Sequence, residues 1–492
     1  RENALKLVEP LLDSNEPLRH LVLAMGAETN AKVVFQLAFT LGESRDPSAA
    51  ALLAQIAKQH GEDPWIRTAV LSSAGRSTEP LLRALASDTN FAASGTGATL
   101  LEQLALVVGV RHDAGEMDRV LELIATQLNR HAGLQRRLLG ALGAGLRRAG
   151  KRLDVAELES SAGRWLATDL FENAFETATR STADDAARVS AVQLLACAPY
   201  AQTRDVLTGL ISPRQSNALQ TAAVRALGDY SDGEIAQSLI ERFLASPPEV
   251  QNEIIAALLS REERTAVFLT AAQAGDVPAS AVEPTRRQLL LSHKSESIRA
   301  LAAAVFGQGA GSERGAVVAR YRQELSNATG NQERGAKTFE RLCATCHQLA
   351  GKGFVIGPNL ASSPSRDPDA LALHVFDPNH YVLPNYVQYV VLDRAGKTYS
   401  GMIAAQTATS ITLKREKEAS DTILRSDIED ISSTGKSLMP EGLEKDLTPA
   451  DFADLVSYLQ AQADPAATNA PDPRKVRDKG TLPGTLIEPA KK

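Results

Sequence analysis

The stretch RLCATCHQLAG, residues 341–351, holds two of the chain's three cysteines with a histidine directly behind them: Cys343, Cys346 and His347. Three chemistries use such a cluster, namely a redox dithiol, half of a zinc site, and the covalent anchor of a haem. A thioredoxin-like dithiol wants a βαβ context, and a structural zinc wants a second Cys or His pair at close spacing. Neither surrounds this stretch. The third cysteine, Cys197, lies in the apolar helical run AVQLLACA and reads as a buried free thiol. What stands is C-x-x-C-H as a c-type haem attachment site, in which both thiols become thioethers and His347 ligates the iron.

Working upstream, residues 1 to about 310 are rich in Ala and Leu, with apolar positions at helical spacing and a polar or Pro-containing break every dozen or so residues. An internal repeat emerges on alignment: ARVSAVQLLA (187–196), LQTAAVRALG (219–228) and VQNEIIAALL (250–259) start 32 and then 31 residues apart. Each opens a helix that a second follows, as in GEIAQSLIERFLAS and EERTAVFLTAAQAG, and DPWIRTAVLSSAGRSTEPLLRALAS has the same two-helix shape. Such a pair cannot bury its apolar face alone, so neighbours are expected to stack into a solenoid with one continuous core. The pattern resembles HEAT-like repeats, and arrays of that kind offer docking surfaces. His20, His60, His112, His131 and His293 are scattered without i, i+3 or i, i+4 partners and read as surface or packing residues. GALGAG (140–145) follows no strand and lacks the Lys-Ser/Thr of a phosphate loop, so no nucleotide is assigned to it. Trp65 and Trp165 are expected to pack between repeats.

Downstream, a boundary is expected near residue 325, after the stretch GQGAGSERG (307–315) and a connecting helix over 311–330. Gly335 and Phe339 share one face of the helix that delivers the cysteines. A closing helix begins at LTPADF, with Thr448 as N-cap, Pro449 at the first helical position and Asp451 in the first turn. Its Phe452, Leu455 and Leu459 form an apolar stripe, and Gly335 would let the two helices cross closely around a porphyrin. A six-coordinate iron then needs a second axial ligand. Met439 in SLMPEGL is the leading candidate, ahead of Met402 in KTYSGMIAA and of His374 and His380. Between them, about 385–432 reads as a small antiparallel β unit, with strands in YVQYVVLD, KTYSGMIAA, SITLKR and TILR and a turn at Arg394-Ala395-Gly396. Beyond residue 463 the Pro-rich tail is expected to be extended or disordered.

GAKTFERLCATCHQL, GPNL, SLMP and the closing helix resemble a class I cytochrome c. Residues 331–462 are similar to the bacterial haem-binding-domain family in which such a cytochrome follows HEAT-like repeats. The resemblance implies a mainly α fold: a HEAT-like α-solenoid over 1–310, then an α-helical cytochrome c domain over 331–462 with an inserted antiparallel β unit. It further implies one covalent haem c on Cys343 and Cys346, His347 and Met439 as axial ligands, and the Pro358 carbonyl accepting from the His347 ring N–H. By the same resemblance the expected role is electron transfer with a redox protein or a fused dehydrogenase module, in the periplasm or elsewhere outside the cytoplasm. An open-site, peroxidase-like haem enzyme and an interaction scaffold with a structural or sensory haem are the alternatives.

The whole chain bounds these readings. Its 492 residues carry net charge −6 with no basic block of the sort that tracks nucleic acid. Apolar runs such as LLEQLALVVGV stop well short of the roughly eighteen residues of a membrane span. The opening RENALKL has neither an initiator Met nor an apolar signal segment, so a mature product or an excised piece of a longer protein is expected.

Overall fold

The computed structural model describes residues 1–75, 77–306, 314–325, 329–362 and 366–462. Most of the stretch GQGAGSERG and all of the tail from 463 lie outside the described residues. Within them the chain is mainly α, with 23 α-helices and one five-stranded antiparallel sheet near the C-terminus.

The described residues form two compact units, one of Arg1–Leu239 with Ala256–Ser260, the other of Ile240–Ile255 with the residues from Arg261 onward. In the first, several helices pack on the next but one. Ala31–Gly42 lies on Pro64–Ser73, Ser48–His60 on Thr78–Ala86, Gly95–Arg111 on Ala132–Arg148, and Asp185–Leu195 on Asn217–Gly228. This alternation is what stacked helix pairs produce, because each pair presents one helix to either row of its neighbours. The starts are set by side-chain caps: Asp63 accepts from the N–H groups of Trp65 and Ile66, Asp113 from Glu116, and Asp184 from Ala186 and Ala187.

GALGAG belongs to this packing. A Cβ on Gly145 would stand 2.1 Å from the Leu106 carbonyl oxygen, so only glycine lets Ala132–Arg148 approach its neighbour. Cys197 is fully buried and unpaired, as its apolar run implies. The tryptophans depart from expectation: Trp65 is 72% and Trp165 66% exposed. Buried residues on their helices fall at Ile66, Ala69, Val70 and at Leu166, Ala167, Leu170, Phe171. Each indole sits one position before its stripe, turned about 100° from it, which takes it out of the inter-helix seam.

In the second unit a sheet is placed between helical elements. Its strands are β1 Val387–Asp393, β2 Thr398–Gln406, β3 Ser410–Lys414, β4 Ser420–Leu424 and β5 Ile428–Ser437, in spatial order β4-β3-β2-β1-β5. Tyr389 lies opposite both Gly401 and Ser433, and alternate residues Val387, Tyr389 and Val391 enter one apolar core with Ile411, Leu413, Ile423 and Ile431. β5 was not among the expected strands. Its sequence IEDISSTGKS offers only Ile428 and Ile431 to the core and breaks register twice against β1, so the alternation that marks a strand is absent. Three bonds tie the sheet to segments of the same unit that lie before it in sequence: Tyr389 Oη donates to Ser246 O at 3.0 Å, Ser433 N to Leu244 O at 2.6 Å, and Ser280 Oγ to Gly435 O at 3.1 Å.

The helices Gln332–Leu342 and Pro449–Ala461 cross as the glycine implied. A Cβ on Gly335 would stand 2.0 Å from Asp454 O and 2.8 Å from Tyr458 Cβ. Thr448 and Asp451 form a reciprocal capping box at the start of the closing helix. Phe339, Phe452, Leu455 and Leu459 share a buried core with Ala372 and Phe376, and the helix Gly315–Leu325 adds Val318 and Tyr321 to it. The Tyr321 and Phe376 ring centroids are 3.8 Å apart. At the crossing the buried Asp454 carboxylate accepts from Asn331 N at 2.6 Å and from Arg334 Nε and Nη2 at 2.6 and 2.9 Å, and this pairing holds its carboxyl below the usual range.

Candidate haem site

Cys343 closes the helix Gln332–Leu342, its N–H reaching back to Phe339 O at 2.8 Å. The chain then turns on itself, with His347 N donating to Cys343 O at 2.8 Å, while Cys346 O accepts from Ile356 N and Gly357 N at 3.0 and 2.7 Å. These bonds fold residues 343–358 into one loop with the cysteines and the imidazole at its mouth. His347 Nδ1 lies 2.9 Å from Pro358 O, which fixes Nδ1 as the protonated nitrogen and leaves Nε2 as the one able to bind a metal. Gly357 makes room for the ring: a Cβ there would stand 2.4 Å from His347 Cε1. Burial pushes the imidazole pKa down, opposed by the Pro358 bond, and so favours the neutral ring that a metal requires.

Cys343 and Cys346 are partly buried free thiols. Burial, with Cys346 beside it, pushes Cys343 up to about 12, and burial raises Cys346 as well, so both are protonated. Beside them Phe354 and Val355 are 39% and 46% exposed, a partly uncovered apolar rim next to the thiols. Two unpaired thiols, a tethered neutral imidazole and this rim are the donor set and lining that a covalently held haem needs. Among the described residues no group of three or more His, Cys, Asp and Glu is arranged to hold a metal ion.

The inserted sheet reaches this loop through the β3–β4 turn. Lys414 Nζ donates to Val355 O at 2.9 Å, Glu418 Oε1 accepts from Val355 N at 3.2 Å, and Lys417 N donates to Thr345 O at 3.3 Å, between the two cysteines. Lys417 and Glu418 hold φ of 56° and 61°, a left-handed pair that non-glycine residues adopt at a cost.

Met439 lies two residues past β5 in the strap SLMPEGLEKDL, partly buried, its N–H on Ser437 Oγ at 3.1 Å. Arg314 pairs in bidentate fashion with Glu444 while its Nε donates to Phe376 O at 2.9 Å, and Tyr321 Oη donates to Leu447 O. Residues of the connecting helix and its N-terminal flank therefore anchor the strap's far end, a role that no spacing in the sequence announces. Of the competing ligands, Met402 is buried in β2 opposite Gln388 and Lys414, whereas His374 and His380 are exposed.

Compared with known proteins, residues 332–463 match the family described as Cytochrome c, and no curated protein matches the chain. The C-terminal part of the chain is a cytochrome c domain, and the protein is a c-type haem protein whose haem is covalently bound. No helix among the described residues is long and apolar enough to cross a membrane.

Proposed function

We propose that this protein is an electron carrier with a single haem c, attached through Cys343 and Cys346 and axially ligated by His347 and Met439. Bound there, the haem supplies a one-electron Fe(III)/Fe(II) couple. The observation that carries the reading is the conjunction of a tethered imidazole and two free thiols on one loop with a methionine strap anchored by Arg314 and Tyr321 at one end and by Asn379 at the other. Cys343 and Cys346 would hold the haem covalently, and the Pro358 carbonyl orients His347 and raises its basicity. Met439 would supply the second iron ligand, and a thioether ligand favours the reduced state and raises the potential above that of a His/His pair. Held by both residues, the iron would have no open position for substrate, and its chemistry would be electron exchange with partner proteins.

The division we propose is a HEAT-like scaffold over 1–310, a connecting helix over 311–330, the haem domain over 331–462 and a terminal tail over 463–492. The scaffold would present the haem to a redox protein or a dehydrogenase module. Since haem c attachment takes place outside the bacterial cytoplasm, the proposed location is the periplasm or another extracytoplasmic space.

The test is the oxidised and dithionite-reduced visible spectrum of protein matured in a host that attaches haem c, beside Met439→Ala. Sharp reduced bands, with the weak far-red band of Met-to-Fe(III) coordination lost in the variant, are expected. A high-spin wild-type spectrum unchanged by the substitution would overturn the reading in favour of an open-site haem enzyme.

A further inference from the structure

We infer that Asn379 is the positioning residue for Met439, holding the strap on both sides of the thioether so that the ligand stays on the iron; this rests on the assignment of Met439 above. Asn379 lies in the segment between the helix Pro368–Phe376 and β1, far from Met439 in sequence. Its Oδ1 accepts from Ser437 N at 2.8 Å and its Nδ2 donates to Glu441 Oε1 at 2.6 Å. The two contacts fall two residues before and two residues after Met439, and Ser437 relays the first of them, since its Oγ accepts the Met439 N–H at 3.1 Å.

Arg314 and Tyr321 hold the strap only at its far end, Glu444 and Leu447. Residues 438–442 belong to no helix or strand, and they include Pro440, which has no N–H to give, and Gly442 at φ 90°. Among the described residues the backbone bonds of this stretch are Leu438 N to Tyr386 O at 3.4 Å, which is long, and Lys445 N to Gly442 O at 3.1 Å, which stays within the strap. The mount itself is firm. His380 N donates to Asp377 O at 3.0 Å, and Arg287 Nη2 donates to His380 O at 3.3 Å while its Nε donates to Val282 O at 2.7 Å. A side-chain amide is suited to the task because it accepts and donates at once, so it can satisfy a backbone N–H and a carboxylate on opposite sides of one loop.

A residue acting on Met439 in this way changes how readily the thioether is displaced. Imidazole, added to the oxidised protein, competes with Met439 for the iron, and its affinity reads the hold directly. Removing one neutral and one charge-assisted hydrogen bond in Asn379→Ala is expected to tighten imidazole binding about tenfold, or 1.4 kcal/mol. The midpoint reduction potential should fall in the same variant, because a loosened thioether favours the reduced state less. Glu441→Ala removes the exposed carboxylate and only the second bond, so it should give a smaller shift in the same direction. It carries the test should Asn379→Ala fail to fold. Imidazole affinity and potential at wild-type values in both variants, while Met439→Ala binds imidazole far more tightly, would overturn the role of Asn379 and leave the ligand assignment standing. Wild-type protein binding imidazole as tightly as Met439→Ala would overturn the assignment itself.

Discussion

Gly335→Ala adds one methyl group at the crossing of the helices Gln332–Leu342 and Pro449–Ala461. That methyl would sit 2.0 Å from Asp454 O, 2.6 Å from Asp454 C and 2.8 Å from Tyr458 Cβ. Two of the three atoms are backbone, so no side-chain rotation relieves the overlap, and the helices must separate by an ångström or more, about the shortfall from van der Waals contact. Separation also draws the Asp454 carboxylate away from Asn331 N. Overpacking at a fixed backbone contact costs about 3 kcal/mol, net of the roughly 1 kcal/mol that Ala gains over Gly within a helix. With a guanidinium m-value near 3 kcal/mol/M for a domain of this size, the midpoint of the haem-domain transition should fall by about 1 M. The assay is guanidinium unfolding of the full chain followed at the haem absorbance, with Gly140→Ala beside it. Gly140 lies within the helix Ala132–Arg148 with nothing within 4 Å of a Cβ, so its replacement should leave the haem transition unmoved and slightly stabilise its own unit. Gly335→Ala at or above the wild-type midpoint would refute the close crossing.

Gly357→Ala drives a methyl into the His347 ring, so it should weaken the Pro358 bond and broaden the low-spin spectrum while leaving haem covalently attached, as checked by haem staining after denaturing electrophoresis. The Arg334 guanidinium holds the folded pKa of Asp454 below the unfolded value of about 3.9. Its contribution is therefore complete at neutral pH and is lost as pH falls through the folded pKa. The stability gap between wild type and Asp454→Asn should be full near pH 7 and shrink on acidification below about pH 4, and a gap that instead grew on acidification would reverse the assigned sign. In haem-loaded protein Cys197 is the remaining thiol, buried and with its pKa raised by desolvation. It should react with a thiol reagent only as fast as its unit opens, and rapid labelling of the native protein would contradict its burial.

The elements legible in the sequence were those whose signal is local. The paired helices showed through 3.6-residue periodicity, the closing helix through Thr448-Pro449 and Asp451, and the attachment loop through the spacing of Cys343, Cys346 and His347. β5 escaped because it is stabilised by pairing with β1 more than by an apolar face. The anchors of the strap escaped for a related reason. Arg314, Tyr321 and Asn379 act on residues 130, 126 and 58 positions away, and nothing in their own neighbourhoods marks them. The exposed tryptophans show the opposite failure, where residue type argued for burial and a one-position offset from the stripe prevailed.

The crossing at Gly335 also dictates an order of events during synthesis. Helix pairs in the first unit are closed by contacts a few tens of residues apart, so each can form soon after it is made. The helix carrying Cys343 has no such option, because its partner begins at Pro449 and the carboxylate that locks Arg334 lies 120 positions downstream. Until that last helix emerges, the thiols and His347 sit on a chain whose own core cannot close. The attachment loop thus stays on an open core until the closing helix docks, wherever in the cell that docking takes place.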